Sequence, residues 1–276
     1  MNQIDILLST YNGEKYLEEL LNSILNQTVD IWRLLIRDDG SIDNTSNIIN
    51  NYIKSYPNKI SLINSTENVG VVKSFNKLLE NSTAPYIMFC DQDDVWLPFK
   101  IENTFTKMLE NEIKYPNKPI LVHTDLCVVD HKLKTIADSF WYYSRIKPEF
   151  LVTFNYLAVH NAATGCTIMI NDKARTVIPS VTENTVMHDT WYSLNVANKA
   201  GVISYVKKPT ILYRQHGNNV LGAKNQVKYY LKNKIRSLKE VLAMNIKQFK
   251  MVNEIRSFPI YKYFYYKLAY LIKSRI

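Results

Sequence analysis

Three carboxylates crowd into four residues at Asp91-Gln92-Asp93-Asp94, directly after the apolar run Tyr86–Cys90. Carboxylates this close repel one another unless a cation or a hydrogen-bond donor sits among them. Hard divalent cations such as Mg²⁺ or Mn²⁺ take oxygen ligands, and proteins commonly hold them with few carboxylates while substrate phosphates complete the shell. The segment therefore reads either as a metal- and phosphate-binding turn or as a solvated acidic turn that caps the next helix. Other polar clusters recur along the first half: Thr10-Tyr11-Asn12-Gly13, Asp38-Asp39-Gly40-Ser41 and Glu67-Asn68-Val69-Gly70.

Each cluster follows a short apolar run and precedes a helical pattern. Ile4–Ser9, Trp32–Arg37, Ile60–Asn64 and Tyr86–Cys90 have the length and composition of buried strands. Leu17, Leu20, Leu21, Ile24 and Leu25 recur at i, i+3, i+4, i+7 and i+8, one face of a helix. Helices through Ile48–Ile53, Phe75–Leu79 and Ile101–Leu109 follow the later strands. Strand, turn and helix in alternation predict an α/β fold: a mostly parallel, Rossmann-like sheet flanked by helices. In such sheets ligands bind at the carboxyl ends of the strands, so the polar clusters are expected on a single rim. No G-x-G-x-x-G and no G-x-x-x-x-G-K-[ST] follows any strand, which disfavours a dinucleotide dehydrogenase or a P-loop NTPase.

The second half is less regular. Ile120–Thr124 and Leu126–Val129 flank Asp125 and read as strand. Thr167–Ile170, Gly201–Val206 and Thr210–Tyr213 read as further strands, and a helix starts near His188-Asp189. The glycine of Asn161–Cys166 suggests a close approach to the backbone.

The chain has 276 residues, 46% of them apolar, enough for one sizeable core and against wholesale disorder. Cys90, Cys127 and Cys166 lack metal-site spacing and suit a reducing compartment as small buried hydrophobes. The N-terminus has no basic-then-apolar segment, so no signal peptide is expected, and no run approaches the ~20 apolar residues of a membrane span. The net charge of +9 is concentrated in residues 221–276, which hold thirteen Lys or Arg against Glu240 and Glu254. There Lys228, Lys232, Lys234, Arg236 and Lys239 interleave with Tyr229, Tyr230 and Leu231, and later tyrosines alternate with Lys262, Lys267 and Lys273. Such basic, aromatic-rich helices suit an anionic membrane surface, or a packing face or homodimer contact with a basic exterior. No nucleic-acid module accompanies the charge, so nucleic acid is not expected as a partner. Two units follow: residues 1–220 and a basic helical extension, 221–276.

Ser9–Gly13, Asp38–Ser41, Asn68–Gly70 and Asp91–Asp94, in that order and joined by His188-Asp189 and Arg214-Gln215-His216, resemble the family 2 inverting glycosyltransferases of GT-A fold. The wordings Asp-Gln-Asp-Asp-Val-Trp and Tyr-Arg-Gln-His-Gly-Asn-Asn-Val-Leu-Gly resemble the bacterial rhamnosyltransferases of polysaccharide assembly within that family. The resemblance implies transfer of a sugar from a nucleoside diphosphate, with dTDP-L-rhamnose the preferred donor and a UDP-hexose the alternative. The acceptor it implies is a saccharide, lipid-linked, in a cytoplasmic enzyme at the inner face of the plasma membrane. It implies Mg²⁺ or Mn²⁺ held by Asp93, with Asp91 either a second ligand or a ribose contact, and His216 either a third ligand or a surface histidine. Asp39 and Tyr11 match the base contacts. Thr10, Asn12 and Glu14 match support for base and ribose, or helix capping. Asn68, Lys73, Gln92 and Arg214 match donor contacts, although Lys73 also suits a solvated helix face and Arg214 a tie to an acidic neighbour. Asp189 matches the general base, or a carboxylate favoured at a helix start. A non-catalytic sugar- or nucleotide-binding module and a nucleotidyltransferase are the rival readings.

Overall fold

The computed structural model describes residues 4–63, 67–216 and 236–275, with side chains in the last segment from 241 onward. The centre of the molecule is β1 (Ile4–Thr10), whose Ile4, Ile6, Leu7 and Leu8 are fully buried because both faces of the sheet are covered. Ile6 and Leu8 enter one core layer and Leu7 the other, as strand alternation requires. β2 (Trp32–Asp38) and β4 (Tyr86–Asp91) pair with β1 in parallel on either side, and β3 (Ile60–Leu62) extends beyond β2. Thr10 pairs with Asp38 and Ser9 with Asp91, so these strands end at one level.

The helices α1 (Leu17–Leu25), α2 (Thr45–Ser55) and α3 (Val71–Asn81) follow the first three strands. α1 buries Leu17, Leu20, Leu21 and Ile24; α3 buries Phe75, Leu78 and Leu79. The predicted alternation of strand and helix is thus realised here. Asn64, the last residue of the expected third strand, lies outside the described residues.

The remaining half of the sheet is mixed. Its order is β3-β2-β1-β4-β8-β6-β9-β5, with β7 (Thr135–Ala137) added to β6. The short β8 (Met169–Asn171) runs antiparallel to both β4 and β6 (Ile120–Val129), while β9 (Val202–Arg214) is parallel to β6 and β5 (Val95–Trp96) antiparallel to β9. β8 covers fewer residues than the strand expected over Thr167–Ile170, because Gly165–Thr167 forms a 3-10 turn first. The two strands expected over 201–213 are one. Lys207-Lys208-Pro209 reads as a break, yet the ladder absorbs it with a register shift where Pro209 comes opposite Asp125.

α4 (Lys100–Lys114), α5 (Phe140–Tyr143), α6 (Phe154–Leu157), α7 (Asp172–Val177) and α8 (His188–Asn198) complete the body. The three cysteines are free and buried. α9 (Arg236–Ile255) and α10 (Ile260–Lys273) pack on it through Met251, Val252, Tyr263 and Tyr270. The boundary expected at 220/221 and Lys228, Lys232 and Lys234 lie outside the described residues, as do the side chains of Arg236 and Lys239. Among the described residues no helix is long and apolar enough to cross a membrane.

Candidate active site

The turn after β1 is tied to the turn after β4 by one amide. Gln92 Oε1 accepts from Thr10 Oγ1 at 2.6 Å and from the Tyr11 N–H at 2.8 Å, while Gln92 Nε2 donates to the Tyr11 carbonyl at 3.0 Å. Asn12, in the left-handed region at φ 49°, locks the same turn to the next one. Its N–H donates to Ser41 Oγ at 2.9 Å and its Oδ1 accepts from the Ile42 N–H at 2.9 Å. This holds Tyr11 at the rim with its ring 46% exposed.

Asp38 and Asp39 divide their labour. Asp38 accepts from the Ser41 N–H, Ser41 Oγ and Ser46 Oγ and so holds its own turn. Asp39 pairs with Arg37 and accepts from the Val69 N–H at 2.9 Å and the Gly70 N–H at 2.8 Å, which fastens the Asn68–Gly70 turn beside it. Gly70 stands at φ 79°, a conformation glycine adopts without strain.

These turns enclose a cavity of about 720 Å³, within the range of small-molecule sites. Of the residues singled out from the sequence, Thr10, Tyr11, Asn12, Asp39, Asn68, Asp91, Gln92, Asp93, Asp189 and His216 line it. Three are placed elsewhere. Glu14 accepts from the Asn44 N–H at 2.9 Å, ahead of α2, and Lys73 is exposed on α3. Arg214 is buried: it pairs with Glu19, donates from Nε to the Asp93 carbonyl and from Nη1 to the His131 carbonyl, both at 2.9 Å, and lies 4.4 Å from the Tyr16 ring centroid. These bonds position the Asp93 backbone and make the tie to an acidic neighbour that the sequence offered as one of two readings. Trp191, two residues after Asp189, is core, with Nε1 donating to the Pro179 carbonyl at 2.9 Å.

The charges of the cavity are mostly negative. Burial, followed by the nearby charges of Asp93 and Asp189, pushes the Asp91 carboxyl up to about 7. Asp93 Oδ2 sits 2.7 Å from His216 Nε2, whose ring packs against Tyr16 at 5.1 Å. Asp94 is buried, accepting from the Arg214 N–H at 3.2 Å, with the Cys166 thiol beside its carboxyl. Beneath them the buried Lys100 ammonium lies 4.5 Å from the Trp96 ring centroid and offsets part of the charge on Asp91.

Asp189 stands in the first turn of α8 and also lines the cavity. Burial raises its carboxyl to about 6, held from rising further by hydrogen bonds from Thr190, the Gly165 N–H and Asn161. A carboxylate at a helix N-terminus is also favoured by the macrodipole. It feels Asp91 across the cavity, because its charge is among those that raise the Asp91 carboxyl.

A divalent ion fits this donor set. Asp91 and Asp93 are hard oxygen donors crowded beyond what burial alone would impose, and His216 offers a nitrogen beside Asp93. Asp91 also groups with Asp94 and Cys166, whose ligand atoms lie within 4.8 Å of one another. That inner group is less suited to a hard cation, since its third member is a buried thiol pushed well up by burial.

Several lining residues had not been singled out as site residues from the sequence. Lys15 is the only Lys or Arg lining the cavity among the described residues, and its ammonium lies 5.0 Å from the Tyr16 ring centroid. Tyr16, Met187 and Tyr213 also contribute, beside Thr164 of the Asn161–Cys166 stretch and His188 of the His188-Asp189 pair, both already marked in the sequence. No spacing rule marks Tyr213, an interior strand residue. Gly165 did carry a signal, its close backbone approach: a Cβ there would sit 2.5 Å from His188 Nε2.

Comparisons with known proteins agree with this architecture. Residues 5–174 match the model of glycosyl transferase family 2. The chain is 32% identical to the dTDP-rhamnosyl transferase RfbG of Shigella flexneri, over 78% of this chain and 74% of that protein. It is 31% identical to WfgD of Escherichia coli, a UDP-Glc:alpha-D-GlcNAc-diphosphoundecaprenol beta-1,3-glucosyltransferase, over 41% of this chain and 43% of that one. Among solved structures, Staphylococcus aureus TarS in complex with UDP-GlcNAc matches with a TM-score of 0.56 at 18% identity, over 79% of this chain and 60% of that chain. The mannosyltransferase PcManGT of Pyrobaculum calidifontis, in complex with GDP-Man and Mn²⁺, matches with a TM-score of 0.58 at 13% identity, over 99% of this chain and 86% of that one. The fold is thus GT-A, α/β with a helical C-terminal extension, and the chain is a glycosyltransferase belonging to glycosyl transferase family 2.

Proposed function

We propose that this chain transfers a sugar, with inversion, from a nucleoside-diphosphate donor to a saccharide hydroxyl in the assembly of a bacterial surface polysaccharide. The observation that carries the reading is one cavity lined by Asp39 and Tyr11, by the Asp91/Asp93/His216 group, and by Asp189. Tyr11 offers a ring face to the base, and Asp39, already fixed by Arg37 and two backbone donors, accepts from the base N–H with its remaining lone pairs. Asn68, Thr10 and the Gln92-braced turn flank the ribose. Asp189 takes the proton of the acceptor hydroxyl as its oxygen attacks the anomeric carbon, while the bond to the diphosphate breaks on the opposite face. Asp93, Asp91 and His216 would hold Mg²⁺ or Mn²⁺, which when bound neutralises charge on the leaving diphosphate. Lys15 supplies the matching protein cation at that end of the cavity.

The donor we favour is dTDP-L-rhamnose, supported by the resemblance of the Asp91–Trp96 and Tyr213–Gly222 wordings and by the relative named a dTDP-rhamnosyl transferase. A UDP-hexose is the alternative, favoured by the relative named for UDP-Glc. The acceptor we favour is carried on a lipid, which suits an enzyme working at the inner face of the plasma membrane. Thermal-shift measurements against nucleoside diphosphates and sugar nucleotides, with and without Mn²⁺, test the reading. A metal-dependent shift with dTDP or UDP compounds is the expected result. No shift with any nucleotide would overturn it.

A further inference from the structure

Helix α10 leaves an apolar face uncovered. Ile260, Tyr261, Phe264, Leu268, Leu271 and Ile272 recur at i, i+1, i+4, i+8, i+11 and i+12, one side of a helix. These six side chains are 45–66% exposed. The opposite side is occupied: Tyr263 and Tyr270 are buried, Tyr266 Oη accepts from Asn155 Nδ2 at 2.9 Å, and Tyr270 stacks on His160 at 4.9 Å. A contiguous apolar stripe of this kind marks an interaction surface.

Charge decides what covers it. α10 has no acidic residue; Lys262 and the following Arg275 are exposed, whereas Lys267 donates to Asn245 Oδ1 and Lys273 lies 4.7 Å from the Phe150 ring centroid. On α9, Lys247 and Lys250 are exposed, and the one acid among the described side chains, Glu254, is engaged by Thr182 and Asn184. A second copy docked by a two-fold axis would bring these exposed cations against themselves, with Glu149 near Tyr270 the nearby described carboxylate on the body. An anionic surface complements them.

We propose that α10 lies flat on an anionic lipid bilayer, its exposed apolar side chains in the headgroup–acyl boundary and the exposed cations at its ends, Lys262 and Arg275, toward the lipid phosphates. At fourteen residues the helix is about 21 Å long, suited to lying in the interface rather than crossing it. Its inner face holds the segment before the cavity: the Lys147 N–H donates to Tyr270 Oη at 3.2 Å, and α6 leads on to Thr164 and Gly165 in the cavity wall. The surface is therefore anchored to the wall that also carries Asp189, an arrangement suited to an acceptor held by a lipid. Only this last link rests on the glycosyl-transfer reading; the docking does not.

Flotation of the full chain with phosphatidylcholine vesicles, with and without phosphatidylglycerol, tests the docking. The expected result is flotation with the phosphatidylglycerol vesicles, weakened by salt. The variant Phe264→Ser/Leu268→Ser/Leu271→Ser should partition at least about tenfold more weakly while melting as the parent does, since all three positions are exposed. Flotation of the triple variant like the parent would overturn the proposal, as would failure of the parent to float with either vesicle. A dimer that the triple variant dissolves, without vesicle binding, would assign the face to a second copy instead. Nucleotide-induced thermal shifts without vesicles report on the transfer reading separately.

Discussion

Replacing Asp189 by asparagine separates proton abstraction from donor binding. The amide side chain keeps a carbonyl oxygen that can accept from Thr190 Oγ1, now 2.9 Å from the carboxylate, so the first turn of α8 retains its local bonding. What disappears is the carboxylate that this wall presents to the acceptor. A positioned general base contributes about 10²- to 10⁴-fold, or roughly 3 to 5.5 kcal/mol of barrier. We expect kcat to fall by that factor with the donor KM within about twofold of the parent. A further consequence follows across the cavity. The charge of Asp189 helps raise the Asp91 carboxyl to about 7, so its removal lets Asp91 ionise more readily, and the metal-dependent thermal shift should hold or grow. The parent rate should also rise with pH through about 6, as the raised Asp189 carboxyl loses its proton, and the variant should lose that limb. The assay is product formation by mass spectrometry, with nucleotide-induced thermal shift in parallel. A variant turning over within about threefold of the parent, or one with unchanged kcat and weakened donor binding, would refute the assignment of the base.

Asp93→Ala should abolish the Mn²⁺-dependent part of the nucleotide thermal shift while leaving the metal-independent part, a comparison made by titrating the metal at fixed nucleotide. Lys15→Met should weaken a nucleoside diphosphate by about tenfold, the worth of one charge-assisted contact of about 1.5 kcal/mol, and leave the free nucleoside unchanged; Lys15→Arg should restore most of it, all by calorimetry. Gly165→Ala would drive a methyl to 2.5 Å of His188 Nε2, so α8 must shift; we expect transfer to fall at least about tenfold with little change in donor binding. Arg214→Ala leaves the Asp93 carbonyl without its donor, and the chain should lose about 3 kcal/mol in denaturant unfolding as well as metal affinity.

The donor half of the fold was legible because three signals agree there. Apolar runs of strand length, helical periodicity and polar turns alternate, and a parallel sheet then leaves the turns after β1, β2 and β4 no other place than one rim. The acceptor half was not legible in this way. β8 is three residues long and enters antiparallel after a 3-10 turn, which no periodicity announces. β9 continues through Lys207-Lys208-Pro209 because its partner β6 shifts register, a tertiary accommodation that local propensity cannot express. At the site, residue type marked the carboxylates but not side-chain direction. Arg214 and Glu14 had structural readings beside the functional ones, and the bonds of those structural readings are present in the fold. Lys15 escaped notice because a lysine at the start of a helix looks like any solvated one until the fold places it in the cavity lining.

The strand order carries a consequence for how such chains diversify. Between β4 and β8 the direction of the chain reverses, and the cavity draws on both sides of that seam: the turns we propose for the nucleotide follow β1, β2 and β4, and Asp189 with the Thr164–Gly165 wall belongs to the other part of the chain. Substitutions beyond the seam can therefore remodel what receives the sugar while the Gln92 clasp and the Asp39 anchor stay untouched. One donor apparatus can in this way serve many glycans, with novelty confined to the half that was hardest to read.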